Sequence, residues 1–122
     1  MLNNANRRAI GNYYEVLALK TLLKDGLQLL ARNSQSRLGE IDLVMRDNKC
    51  IVFIEVRYRR NYAFGGALQS VTLLKQQKII KAAYLWMQQQ GLESENCEFR
   101  FDIFAITGKQ YQWIKNAFIN SL

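Results

Sequence analysis

The sequence contains no histidine and no proline. Without imidazole there is no Ser-His-Asp triad, no histidine general base and no imidazole-held zinc. A metal, if one binds, has to be held by oxygen, which favours Mg²⁺ or Mn²⁺. Cysteine is scarce. Cys50 and Cys97 sit singly in apolar, strand-like segments, which reads as reduced core thiols of a cytoplasmic protein and not as a disulfide framework. No apolar run approaches the roughly 20 residues that span a bilayer, so no membrane partner is expected. The start, Met1 to Asn12, is polar, and Arg7 and Arg8 have no apolar signal core behind them. Repeats, low-complexity tracts and linkers are also missing.

Acid is in short supply relative to base. There are 17 Lys plus Arg against 10 Asp plus Glu, a formal charge of +7. In one small domain that is the footprint of a protein that meets phosphate, although charge steers association without naming the partner. The 122 residues suffice for one domain, taken as 1–122, and the 49% hydrophobic content for a real core.

Apolar spacing predicts a helix from about Arg7 to Lys24, with Ile10, Tyr13, Tyr14, Leu17 and Leu22 recurring at helical intervals and Asp25-Gly26 as the stop. Leu27 to Arg32 is a short strand candidate, followed by a polar loop from Asn33 to Gly39. Two strong strands follow, Glu40 to Arg46 and Lys49 to Tyr58, joined at Asp47-Asn48. Arg59 to Ser70 is a basic, aromatic, glycine-containing loop, and Val71 to Gln90 a second helix. After a loop from Gly91 to Asn96, Cys97 to Ile106 and Tyr111 to Phe118 are two last strands around Thr107-Gly108-Lys109. The order α-β-β-β-α-β-β predicts an α/β (mixed α+β) domain, a mixed sheet with helices packed on it.

Within the two strong strands, Asp42 lies between Ile41 and Leu43, and Glu55 between Ile54 and Val56. Such continuous apolar runs belong to strands covered on both faces. An ionised carboxylate there is costly unless paired, hydrogen-bonded or bound to metal. If Arg46 pairs with Lys49, Asp42 stands opposite Phe53 and Glu55 opposite Glu40. Asp42 and Glu55 then share a face as diagonal neighbours roughly 7–8 Å apart, with Arg57 on the same face. A one-residue slip would separate the two acids. The competing arrangement is a buried ion pair with Arg57 or another base. Glu15, on the first helix beside Tyr14, is a third acid that reaches the hairpin if the helix packs there; otherwise it is a solvated helical carboxylate.

Gly11-x-x-x-Glu15, Arg32-Asn33, Gly39-Glu-Ile-Asp-Leu43, Phe53-Ile-Glu-Val-Arg57-x-Arg59, Phe64-Gly65, Lys75 and Arg100-Phe-Asp102 together resemble the YraN-like uncharacterised protein family. That family is similar to the restriction-endonuclease-like PD-(D/E)xK nucleases, among them Holliday junction resolvases. The resemblance runs from about Arg7 to Phe118. It implies a central mixed sheet flanked by helices, with a site where the hairpin strands diverge. It further implies a nuclease acting on DNA, with Asp42 and Glu55 as ligands of Mg²⁺ or Mn²⁺ and Glu15 completing the site. Resolvase-like relatives suggest a homodimer. Arg57 departs from the pattern, which expects lysine. Arginine stays protonated and cannot serve as a general base, but it can hold a phosphate. The alternative implied by this departure is a non-catalytic nucleic-acid-binding module with a degenerate nuclease site.

Arg32, Arg37, Arg57, Arg59 and Arg60 bracket the hairpin, interleaved at its end with Tyr58, Tyr62 and Phe64. Arginine with aromatics suits phosphate contact and base stacking, and equally a solvated loop whose rings cap the sheet edge. Lys75, Lys78 and Lys81 form a basic stripe on the second helix, of which the resemblance singles out Lys75. Asp102, beside Arg100, reads as half of a structural ion pair.

Overall fold

The two apolar runs that carry Asp42 and Glu55 become neighbouring inner strands of one sheet. In a computed structural model, which describes residues 3–119, the order is α1 (Asn4–Lys24), β1 (Gln28–Ser36), β2 (Gly39–Asp47), β3 (Cys50–Arg59), α2 (Gly66–Gln69), α3 (Leu73–Gln89), β4 (Phe99–Thr107) and β5 (Gln110–Phe118). Leaving aside the single turn α2, this is the expected α-β-β-β-α-β-β order. The domain expected over residues 1–122 reaches beyond the described residues at both ends. The sheet runs β1-β2-β3-β4-β5. β1 to β3 form an antiparallel meander, β3 pairs in parallel with β4, and β4 and β5 close as an antiparallel hairpin. Parallel pairing needs a long crossover, and α3 supplies it. Among the described residues no helix is long and apolar enough to cross a membrane.

Alternation along the strands feeds two cores, one on each face. Ile51 and Phe53 pack with Ile79, Ile80, Ala83 and Trp86 of α3, whereas Val52 and Ile54 pack with Ala18 and Leu22 of α1. Both faces of β2 and β3 are therefore dry, as their unbroken apolar sequences require.

Three boundaries differ from the sequence reading. The expected loop at Asn33–Gly39 is mostly strand: Ser34, Gln35 and Ser36 pair with Ile41, Glu40 and Gly39, leaving only a turn at Arg37-Leu38. An edge strand needs backbone partners but no second apolar face, so hydrophobicity does not reveal it. α1 begins at Asn4 rather than Arg7, because the Asn3 side chain caps it by accepting the Asn6 N–H at 2.8 Å. The hairpin turn is Asn48-Lys49, with Asp47 paired to Cys50 and Arg46 to Ile51. Asn48 takes φ 55°, a left-handed conformation that asparagine tolerates well. The expected Arg46–Lys49 pairing is thus displaced by two residues.

Asp102 is fully buried and has the structural role expected of it. Its carboxylate accepts Arg100 Nε at 3.0 Å, Trp113 Nε1 at 2.9 Å and the Asn116 backbone N–H at 2.9 Å. Arg100 also reaches Asp47 at 3.0 Å, tying β4 to the end of β2. Asn116 lies in an irregular stretch of β5, where pairing shifts between Phe101 and Ile103. The buried acid therefore replaces ladder partners that the irregularity removes. Asp102→Ala leaves Arg100 with Asp47 alone and strands the Trp113 and Asn116 donors, and should cost about 3–5 kcal/mol. Urea unfolding checks this: the midpoint should fall with little change in slope.

Candidate active site

β2 turns about Asp42. Ile41 and Leu43, two residues apart, would share a face in a regular strand, yet they join opposite cores. On β1 the flanking pairs are Arg32 with Leu43 and Ser34 with Ile41; Asn33, between them, has φ 51°. Pairing of β2 with β3 ends at Leu43 and Ile54. Beyond it the strands part, and Asp42 Oδ2 spans the opening by accepting the Val56 N–H at 2.9 Å. A side chain thus replaces the missing backbone acceptor.

The same face gathers Asp42, Glu55 and Arg57 of the sheet with Lys75, Lys78 and Ile79 of α3, around an open pocket of about 300 Å³ that Gly39 and Glu40 also line. A shift of two residues keeps every side chain on its face, so Asp42 and Glu55 still share one, and a hydrogen bond links them. Glu15 approaches from α1. Its Oε1 is 4.0 Å from Arg32 Nε, and Arg32 Nη2 donates to Asn12 Oδ1 at 2.7 Å. Arg59 and Arg60 are exposed at the end of β3. Arg37 lies elsewhere, lining a groove with Lys81 and Tyr84. Glu40 and Lys78 line the pocket although the sequence reading gave neither a role; their spacing two before Asp42 and three after Lys75 is the signal that was available.

Too many acids meet here for all to be ionised. Burial, a hydrogen bond to Asp42 and the charge of Asp42 push Glu55 up to about 9, against the opposing pull of Arg57 and Lys75. Burial first, then Asp42, raise Glu15 to about 7, and the same two causes raise Glu40. On the other side, burial and the neighbouring Arg57 lower Lys75. Two buried polar atoms lack a hydrogen-bond partner among the described residues: Glu15 Oε1, an acceptor, and Arg57 Nε, a donor. Buried groups of this kind are normally satisfied.

The donor set fits a hard divalent cation. Mg²⁺ usually takes one or two carboxylates and completes its shell with water and substrate phosphate. Asp42 and Glu55 supply that pair, and Glu15 Oε1 is an unsatisfied acceptor beside it. Among the described residues no group of three or more acidic or thiol side chains forms a ready cluster for a metal. Glu15 therefore stands next to the pair without having joined it.

Comparison with known proteins is consistent across the chain. The profile of an uncharacterised protein family, UPF0102, matches residues 14–106, which contain every candidate residue named above. A UPF0102 protein of Serratia proteamaculans is 50% identical over 113 residues, covering 93% of this chain and 97% of its own. One from Pectobacterium carotovorum is 49% identical, with 93% and 96% covered. One from Vibrio campbellii is 43% identical, with 92% and 93% covered.

The proton held at Glu55 has a measurable consequence. Its folded value, about 9, exceeds the ordinary 4.5, so between them the folded protein holds a proton that the unfolded chain has released. Stability without metal should therefore rise as pH falls from about 9 towards 4.5. The slope is about 1.4 kcal/mol per pH unit for one proton, and Glu15 adds to it below about 7. Urea unfolding between pH 7 and 8.5, where no histidine titrates, should be compared in the parent and in Glu55→Gln, because Glu15 and Cys50 also titrate near the edges of that window. Glu55→Gln should flatten the curve, and a flat curve in the parent protein would mean that Glu55 is ionised.

Proposed function

The chain belongs to the uncharacterised protein family UPF0102, the YraN-like family that its motifs resemble, and we propose that it is a cytoplasmic, divalent-metal-dependent nuclease. It hydrolyses phosphodiester bonds in DNA at branched or otherwise structured sites, and belongs to the restriction-endonuclease-like superfamily. The observation that carries this reading is the pair of unsatisfied buried atoms near Asp42 and Glu55. Glu15 Oε1, 4.0 Å from Arg32 Nε, still lacks a hydrogen-bond donor or closer cation, and Arg57 Nε lacks an acceptor. A phosphate bound with a divalent ion would meet both needs.

Asp42 and Glu55 would hold Mg²⁺ or Mn²⁺, and Glu15 would assist. The ion, when bound, acidifies water and stabilises charge on the phosphoryl oxygens. Because Glu55 holds a proton beside Asp42, the two carboxyls would have to lose it to ligate an ion, so affinity for metal should tighten with pH. Arg57 contacts the scissile phosphate and, being permanently charged, stabilises developing negative charge without acting as a base. Lys75, from the start of α3, brings to the pocket the ammonium that the strand position lacks. Arg59 and Arg60 continue the cationic track along the backbone, with Arg32 behind Glu15 on the other side. Arg37 extends nucleic-acid contact to the separate groove it shares with Lys81.

Arg57 also favours a second reading, a DNA-binding module whose nuclease site no longer turns over. Two variants separate the readings. Asp42→Asn keeps an acceptor for the Val56 N–H, so it should fold and bind DNA while losing Mn²⁺-dependent cleavage of branched DNA by at least about 100-fold. Undiminished cleavage by that variant, purified free of host nucleases, would exclude Asp42 from the chemistry. Arg57→Lys should retain activity if the protein is a nuclease; cleavage that appears only in this variant would establish the binding module instead.

A further inference from the structure

Phe64 is the most conspicuous residue that the proposed site does not use. Its side chain is fully exposed, at 103% of the reference area. Its backbone is left-handed, with φ 61° and ψ 28°, which is unusual for a bulky residue and costs about 1–3 kcal/mol. Gly65 and Gly66 continue with φ 92° and 79°. There glycine is needed: a Cβ on Gly65 would stand 2.6 Å from Gln69 Oε1, and one on Gly66 2.9 Å from the Tyr62 ring. At Phe64 itself the conformation also suits glycine, yet an aromatic ring occupies it.

The loop that carries this ring is pinned to the sheet. Tyr62 OH donates to Gln110 Oε1 at 3.2 Å, and the Ala67 N–H donates to Thr107 Oγ1 at 3.1 Å. The Gly65 and Ala63 N–H groups bond to Tyr62 O and Asn61 Oδ1 within the loop. A fixed loop therefore projects an unburied ring, with Tyr62, Leu73 and Leu74 also exposed nearby in the chain. Its two ends are cationic. Arg57, Arg59 and Arg60 precede it, Lys75 and Lys78 follow it, and no Asp or Glu lies between Val56 and Leu92. Lys75 feels the charges of both Arg57 and Arg59, so the two ends converge in space.

We infer that Phe64 stacks on an unpaired nucleobase of the bound nucleic acid, and so sets a preference for distorted over fully paired substrate. The inference rests on the reading of this protein as a DNA-binding nuclease. A surface meeting a folded protein partner would not need to be free of acid. A cationic loop with a bare ring matches a strand whose phosphates are held on both sides of an unstacked base. The pinned backbone lowers the cost of ordering the loop on binding.

The test uses the full chain carrying Asp42→Asn, without metal, at low salt. Two DNA probes are compared: a paired duplex, and the same duplex with one unpaired 2-aminopurine. Phe64→Ala and Phe64→Leu should each weaken binding of the unpaired probe relative to the duplex by roughly 5- to 150-fold, the loss of one aromatic–base stack. Phe64→Trp should restore the preference. The salt slope should not change, because phosphate contacts remain. Thermal unfolding of each variant, expected at or above that of the parent, monitors the fold. Unchanged preference in Phe64→Ala, with DNA still bound, overturns the inference and leaves the proposed function standing. No binding of either probe by the parent overturns both. A shift from dimer to monomer in Phe64→Ala by sedimentation overturns the inference in favour of a second copy covering the ring.

Discussion

The opening between β2 and β3 brings Asp42 and Glu55 together in a half-buried pocket, where the charge of one opposes ionisation of the other. Much of the local structure serves that meeting. β2 turns at Asp42, Ile41 crosses to the other core, and the ladder with β3 stops at Leu43 and Ile54. The Val56 N–H, left without a strand partner, is satisfied by the carboxylate itself. The hydrogen bond that holds the strands together across the gap is thus made by a residue of the candidate site. Glu55 responds by holding its proton, well above the ordinary carboxylate range.

Asp102 shows that burial alone does not mark such a site. It is the more deeply buried acid, but Arg100, Trp113 and the Asn116 backbone surround it with donors. Nothing is left over for a ligand. At the candidate site a carboxylate oxygen of Glu15 and the Nε of Arg57 are left over, near an acid pair. Leaving a buried polar group unpaired costs about 1–3 kcal/mol. The difference between the two clusters lies in unmet valence and not in composition: each has acids, an arginine and a strand irregularity.

Charge around the pocket is sorted by element. β2, β3 and α1 bring the carboxyls, while the end of β3 and the start of α3 bring Arg57, Lys75 and Lys78. Lys75 and Glu55 lie far apart in the chain, yet each alters the other's proton affinity. The lysine expected beside Glu55 on the strand is absent, and one from the helix crossing that strand faces the same space.

The sequence by itself determined the element order and the candidate pair. Apolar runs broken by single acids mark buried strands, and side-chain direction alternates with a period of two. The shared face of Asp42, Glu55 and Arg57 therefore survived a hairpin register two residues from the expected one. The order α-β-β-β-α-β-β was legible for the same reason: it depends on local periodicity. The polar half of β1 was not legible, because an edge strand is held by backbone bonds that leave no trace in side-chain type. Residue spacing, as distinct from the family resemblance that singled out Glu15 and Lys75, could not say that they would reach the pair, or that Arg37 and Lys81 would face a different groove. Those placements depend on which face each helix covers. The long crossover through α3 and the packing of Ala18 and Leu22 of α1 decide that, and only the folded chain brings such distant segments together.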